Sequence, residues 1–176
     1  MKILYSDEPA FDGVGPAIFL AGPTPRSLNV PSWRTEGIYA KSPSPVAVEI
    51  LRDLNYEGTV LVPERQNWDE GFDYVTQVAW ERAGLEKATV IVFWVPRNME
   101  TMLALTTNVE FGYWVAKAPT RILYGRPEGA PHTKYLDWLL KNEMHLDCLP
   151  GYFGGIHDKL ESLLEEAVYR CKDKFR

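Results

Sequence analysis

Short apolar runs alternate along the chain with longer stretches in which apolar residues recur every three or four positions. Ala17–Leu20, Thr59–Pro63, Thr89–Val95 and Arg121–Tyr124 are the runs, each of strand length. Continuous rather than alternating hydrophobicity predicts strands buried on both faces of a parallel sheet. Between them, Val46–Leu54, Phe72–Lys87 and Thr107–Lys117 carry apolar residues at helical spacing. The tail from Ile156 to Cys171 is the clearest amphipathic helix, with Ile156, Leu160, Leu163, Leu164, Ala167 and Val168 along one stripe. A β-α-β-α-β-α-β-α order predicts an open α/β sheet with right-handed crossovers.

The expected fold class is therefore α/β: a flavodoxin-like (Rossmann-like) open parallel sheet of about five strands, in the order 2-1-3-4-5, with helices on both faces. Gly22–Pro31, Ser42–Pro45 and Arg126–Pro131 are Pro-rich loops too short to link domains, and no internal repeat is visible. A single domain over residues 1–176 is expected. Composition then removes several function classes. A net charge of −5 argues against non-specific attraction to a phosphate backbone, so no nucleic-acid partner is expected. No apolar run approaches the roughly 18 residues that span a bilayer, and no secretory pattern opens the sequence, so no membrane association is expected. Cys148 and Cys171 cannot build a disulfide framework, and His132, His145 and His157 lack ligand spacing, so neither metal nor cofactor is expected. A cytoplasmic enzyme or small-molecule binder is left.

In such sheets, ligands bind beyond the carboxyl ends of the strands. The first run is followed by Ala21-Gly22-Pro23-Thr24-Pro25-Arg26, which lacks the glycine spacing and Lys-Ser/Thr ending of a phosphate loop. The third leads through a long loop into Thr107-Asn108-Val109-Glu110. Glu110 has two compatible readings. Thr107 could cap the helix and Glu110 close a capping box. Alternatively, Glu110 in the first turn is an ionised carboxylate at the mouth of the sheet, as a nucleophile at an electrophilic carbon requires. Glu81 also has two. With Tyr74 and Gln77 it falls on one face of its helix, either a solvated stripe or the polar wall of a pocket with Trp80 packing nearby. Arg34 and Glu64 form a structural ion pair or contact ligand, and Arg26 is solvated or reaches a 5′-phosphate.

Several segments together resemble the nucleoside 2-deoxyribosyltransferase superfamily. They are Ile18-Phe19-Leu20-Ala21-Gly22-Pro23, Ser32-Trp33-Arg34, Pro63-Glu64-Arg65, Trp80-Glu81 and Thr107-Asn108-Val109-Glu110-Phe111-Gly112. The similarity covers roughly residues 15–125 and is closest to the transferase-like branch. The Asn-Val-Glu-Phe-Gly block is similar to the family segment carrying the nucleophilic glutamate, which implies that role for Glu110. Glu81 stands where the family has an acidic residue contacting the base, usually Asp. Ala104 stands where the family usually has an Asp for the sugar hydroxyls, leaving Asn108 and Thr107 as substitutes. The helical face and the resemblance together give Ala21, Gly22, Pro23, Arg34, Gln77, Trp80 and Asn108 as the expected substrate-binding residues.

These residues suit one chemistry. An N-glycosidic bond breaks through an oxocarbenium-like transition state, and two carboxyl groups can divide the work as in retaining glycosidases. Glu110 would attack C1′ and hold a deoxyribosyl intermediate, while Glu81 protonates the departing base and later deprotonates the incoming one. The expected partners are nucleosides and nucleobases, with a second copy of the chain forming a dimer or higher homo-oligomer. Two alternatives stay open: a hydrolase of nucleosides or nucleoside 5′-monophosphates, and a non-catalytic nucleotide-binding module. A geometric condition attaches to Glu81. Its helix descends toward the next strand, so a break near Val78–Trp80 is expected if Glu81 is to reach the upper edge of the sheet. Trp68 and Phe72, in an irregular acidic segment, are candidates for a lid.

Overall fold

A computed structural model describes residues 1–37, 39–67, 73–143 and 155–173. Five strands, β1 (Lys2–Tyr5), β2 (Ala17–Ala21), β3 (Thr59–Val62), β4 (Val90–Trp94) and β5 (Ile122–Gly125), form one sheet in the order β1-β3-β2-β4-β5. Every pairing is parallel. The helices are α1 (Ala47–Asp53), α2 (Tyr74–Lys87), α3 (Leu105–Lys117), α4 (Lys134–Glu143) and α5 (Leu160–Asp173). The fold is thus the open flavodoxin-like α/β sheet that the apolar runs imply. Among the described residues, no helix is long and apolar enough to cross a membrane.

The two-residue period of a strand sorts the apolar runs into two cores. Phe19, Ala21, Ile91 and Phe93 face one side, where they meet Leu85 of α2, Phe111 and Trp114 of α3, and Leu136 and Leu140 of α4. Ile18, Leu20, Val90 and Val92 face the other, against Leu51 of α1 and Leu163, Leu164 and Ala167 of α5. Burial on both faces is why these strands read as unbroken apolar runs.

Three expectations need correction. The fifth strand is not C-terminal to the other four: it is β1, at the sheet edge beside β3, so the four apolar runs keep the order 2-1-3-4. The C-terminal helix begins at Leu160 rather than Ile156. His157 instead extends the sheet: its N–H donates to the Tyr124 carbonyl, and its own carbonyl accepts from Arg126 N. Third, α2 has no break at Val78–Trp80, and its N-terminal half overhangs the sheet. Gly84 marks the contact level, because a Cβ there would lie 2.9 Å from the Phe19 ring. Glu81 is three residues earlier, about 4.5 Å higher, and Ala21 is two strand residues above Phe19, about 6.6 Å higher. An unbroken helix therefore brings Glu81 to the carboxyl edge.

Candidate active site

A cleft of about 590 Å³ opens at the carboxyl ends of β2 and β4, the point where the strand order reverses direction. Its floor is Phe19, Ala21, Gly22 and Pro23, ending β2. One wall is a single stripe of α2 (Gln77, Val78, Glu81, Arg82 and Leu85), with Tyr74 above it. The opposite wall is the start of α3, including Ala104, Thr107, Glu110, Tyr113 and Trp114. Ligand sites at such switch points are general, because the loops leaving adjacent strands diverge there.

The floor is held from below. Gly22 adopts φ +149°, and a Cβ on it would lie 2.2 Å from the Trp94 carbonyl oxygen, so no other residue fits. Arg34 is fully buried beneath this turn. Its Nε donates to the Leu20 carbonyl at 2.8 Å, Nη1 to Pro23 at 3.1 Å, and Nη2 to Gly22. Its charge is met by Glu64 at 2.7 Å, and Ser32 Oγ donates to that same carboxylate. The Trp33 ring packs 4.5 Å from the guanidinium. A buried ion pair so fully hydrogen-bonded is a structural clamp. Of the two roles open to Arg34 and Glu64, the geometry is that of the ion pair, and Arg34 does not line the cleft.

Helix α3 begins at Leu105, with Ala104 as its N-cap in the left-handed region at φ 60°. Thr107 is thus buried inside the helix rather than capping it, and Glu110 lies in the second turn. The capping box expected from the spacing does not form. Glu110 has no hydrogen bond among the described residues, and its carboxyl group faces the cleft. Burial, reinforced by the Glu81 charge and opposed by Arg34, pushes its pKa up to about 7. Burial also raises Glu81 above the usual carboxylate range, against a hydrogen bond from Gln77 and the Arg34 charge. Gln77 Nε2 donates to Glu81 Oε1 at 2.9 Å, while Arg65 donates to Gln77 Oε1 at 3.0 Å.

The structure brings Ala21, Gly22, Pro23, Gln77, Glu81 and Glu110 to one cleft, and it places two expected residues elsewhere. Trp80, adjacent to Glu81, is turned about 100° around the helix and is buried against Phe19, outside the cleft lining. Asn108, two residues from Glu110, is held by Arg97 away from the cleft. Asn108 lies about 200° around α3 from Glu110, a separation the helical period already implies, whereas the step of about 100° from Glu81 to Trp80 leaves either placement open. Tyr113, to which the sequence reading gave no part in the site, sits at the cleft mouth, where its hydroxyl accepts from Arg82 Nη2 at 2.9 Å. Its position three residues after Glu110 was the signal. Arg65 had no assigned part in the site, because nothing in spacing links it to α2. Trp68 and Phe72 lie outside the described residues.

An open α/β sheet with two desolvated carboxyl groups facing one cleft at its switch point defines a class of acid–base site suited to glycosidic chemistry. Over residues 15–128 the sequence matches the family described as nucleoside 2-deoxyribosyltransferase-like, and the chain belongs to that family. Membership implies nucleosides as the substrate class. Both glutamates and the Arg34–Glu64 clamp fall within the matched span. No curated protein sequence matches the chain.

Proposed function

We propose that the protein is a nucleoside 2-deoxyribosyltransferase, which cleaves the N-glycosidic bond of a 2′-deoxynucleoside and transfers the sugar to another nucleobase. The observation that carries this reading is the pair Glu81 and Glu110 facing one cleft within the family-matched span. Glu110 in its ionised form attacks C1′, forming a C–O bond as the C–N bond breaks and its electron pair passes to the base. Glu81 gives its proton to that base. In the second half, Glu81 takes the proton of the incoming base, whose nitrogen displaces Glu110. The Glu81 charge opposes ionisation of Glu110, which favours one proton between the two carboxyl groups near neutrality. The productive arrangement has that proton on Glu81.

A homo-oligomer is part of the proposal. Tyr74, Val78, Leu105, Val109 and Tyr113 line the cleft while remaining exposed, Val109 by 73%. Exposed apolar residues clustered at a site mouth favour a covering surface, and a second copy would exclude the water that competes with an acceptor base. Without such cover, hydrolysis is the expected outcome.

The test is a product analysis. Deoxynucleosides and their 5′-monophosphates are incubated with and without a second base, and products are separated by chromatography. A new deoxynucleoside formed only with the added base supports transfer, and free sugar in both arms supports hydrolysis. Neither product from any substrate would sink the proposal. A 2-fluoro-substituted deoxynucleoside should trap the sugar on Glu110, located by peptide mass.

A further inference from the structure

Arg65 leaves the end of β3 next to Glu64, and the two side chains go to different places. Glu64 reaches Arg34 beneath the cleft floor, whereas Arg65 reaches across to α2. There its Nη2 and Nε both donate to Gln77 Oε1, at 3.0 and 3.3 Å. One helical turn further, Gln77 Nε2 donates to Glu81 Oε1 at 2.9 Å.

A carboxamide fits its space in either of two orientations, which differ only in where the donor and the acceptor point. A guanidinium removes that freedom, because it has only donors and whatever faces it must accept. Arg65 therefore holds the Gln77 oxygen, and the Gln77 NH₂ is left facing Glu81. The consequence falls on the carboxyl group. A donor at Oε1 makes that oxygen an acceptor, so a proton carried by Glu81 resides on Oε2. Among the described residues, no hydrogen bond reaches Oε2. With the amide reversed, a protonated Glu81 would instead donate to the Gln77 oxygen, within α2 and away from a substrate.

We infer that Arg65 is a positioning residue for proton transfer: by fixing the Gln77 amide, it keeps the Glu81 proton on the oxygen available to the leaving base. The inference rests on Glu81 as the proton donor. In the step it serves, the proton passes from Glu81 Oε2 to a ring nitrogen of the base. The breaking glycosidic bond leaves its electron pair on that base, and Glu110 bonds to C1′.

Two measurements test this, one of them without substrate. In ¹⁵N-labelled protein, the Gln77 side-chain NH₂ resonances should move as pH titrates Glu81, and Glu81→Gln should abolish that movement. Arg65→Met should reduce it by at least about half, while Arg65→Lys, which still donates, should retain it. The second measurement is the ratio of rates on 2′-deoxyguanosine and 7-methyl-2′-deoxyguanosine, whose base leaves without needing a proton. Arg65→Met should lower this ratio about tenfold, and Arg65→Lys should restore it to within about threefold. An unchanged amide titration in Arg65→Met overturns the inference, and so does an equal loss on both substrates. If Glu81→Gln leaves the ratio unchanged, the proton-donor assignment fails instead, and the amide titration still judges the Arg65–Gln77 geometry.

Discussion

Replacing Glu110 by Gln keeps the length and hydrogen-bonding shape of the side chain and removes only its ability to ionise. The native protein holds this carboxyl group at about 7, against an ordinary value of 4.5, chiefly by burial and secondarily by the Glu81 charge. The folded state therefore keeps a proton that the unfolded chain releases between these values. Stability from this group is fully present below 4.5 and is lost as pH rises through 7. The gap corresponds to at most about 3 kcal/mol, and relaxation around a cleft open to water brings the expectation to about 1–3 kcal/mol. Glu110→Gln has nothing to ionise, so it should be more stable than the parent at pH 8 by that amount. The gain should shrink steadily toward pH 5. Urea unfolding followed by circular dichroism at a series of pH values measures it. The same variant should lose at least about 10³-fold in sugar transfer, because the covalent route has no nucleophile. Adding Glu81→Gln should stabilise by less than the sum of the two single changes, since each removes the other's repulsion. A Gln variant no more stable than the parent at pH 8 would refute the desolvated carboxyl pair.

Three further outcomes follow from the same geometry. In the pH profile of kcat/KM, the rise that accompanies ionisation of Glu110 should move to lower pH in Glu81→Gln, because the charge that raises Glu110 is gone; a profile that stays in place counts against the coupling. Arg34→Met should destabilise the fold by about 3–5 kcal/mol in urea, because it strands the buried Glu64 carboxylate and frees three backbone carbonyls under Gly22. Asn108→Ala should lower stability by about 1–3 kcal/mol while leaving KM for a nucleoside in place, since its side chain serves the buried Arg97. A large rise in KM with stability intact would return Asn108 to the cleft.

What the sequence made legible divides along physical lines. Strands β2, β3, β4 and β5 were visible because both faces are buried, so each reads as an unbroken apolar run. β1 was not, because an edge strand of four residues with only Leu4 fully buried carries too weak a pattern. α4 was missed for the opposite reason. Its buried residues Leu136 and Leu140 have helical spacing, but exposed Tyr135 and Trp138 add apolar residues on the wet side and blur the stripe. Glu110 and Glu81 came from the family resemblance, since spacing alone left each with an ordinary reading.

The capping box at Thr107 failed because a helix start depends on where the preceding loop can release its backbone. Here the release comes three residues earlier, through the left-handed conformation of Ala104. No local rule favours Ala in that conformation, so sequence could not have found it. The shift has a functional consequence for the cleft wall. With Leu105 as the first helical residue, Thr106, Glu110 and Tyr113 lie along the cleft side of α3, while Phe111 and Val115 are buried away from it. A helix beginning at Thr107 would leave Glu110 in its first turn, beside unpaired N–H groups that favour ionisation. In the second turn that help is weaker and burial dominates, which is consistent with a carboxyl group raised rather than lowered. The position of one helix end thus bears on whether the carboxyl group rests ionised or shares a proton with Glu81.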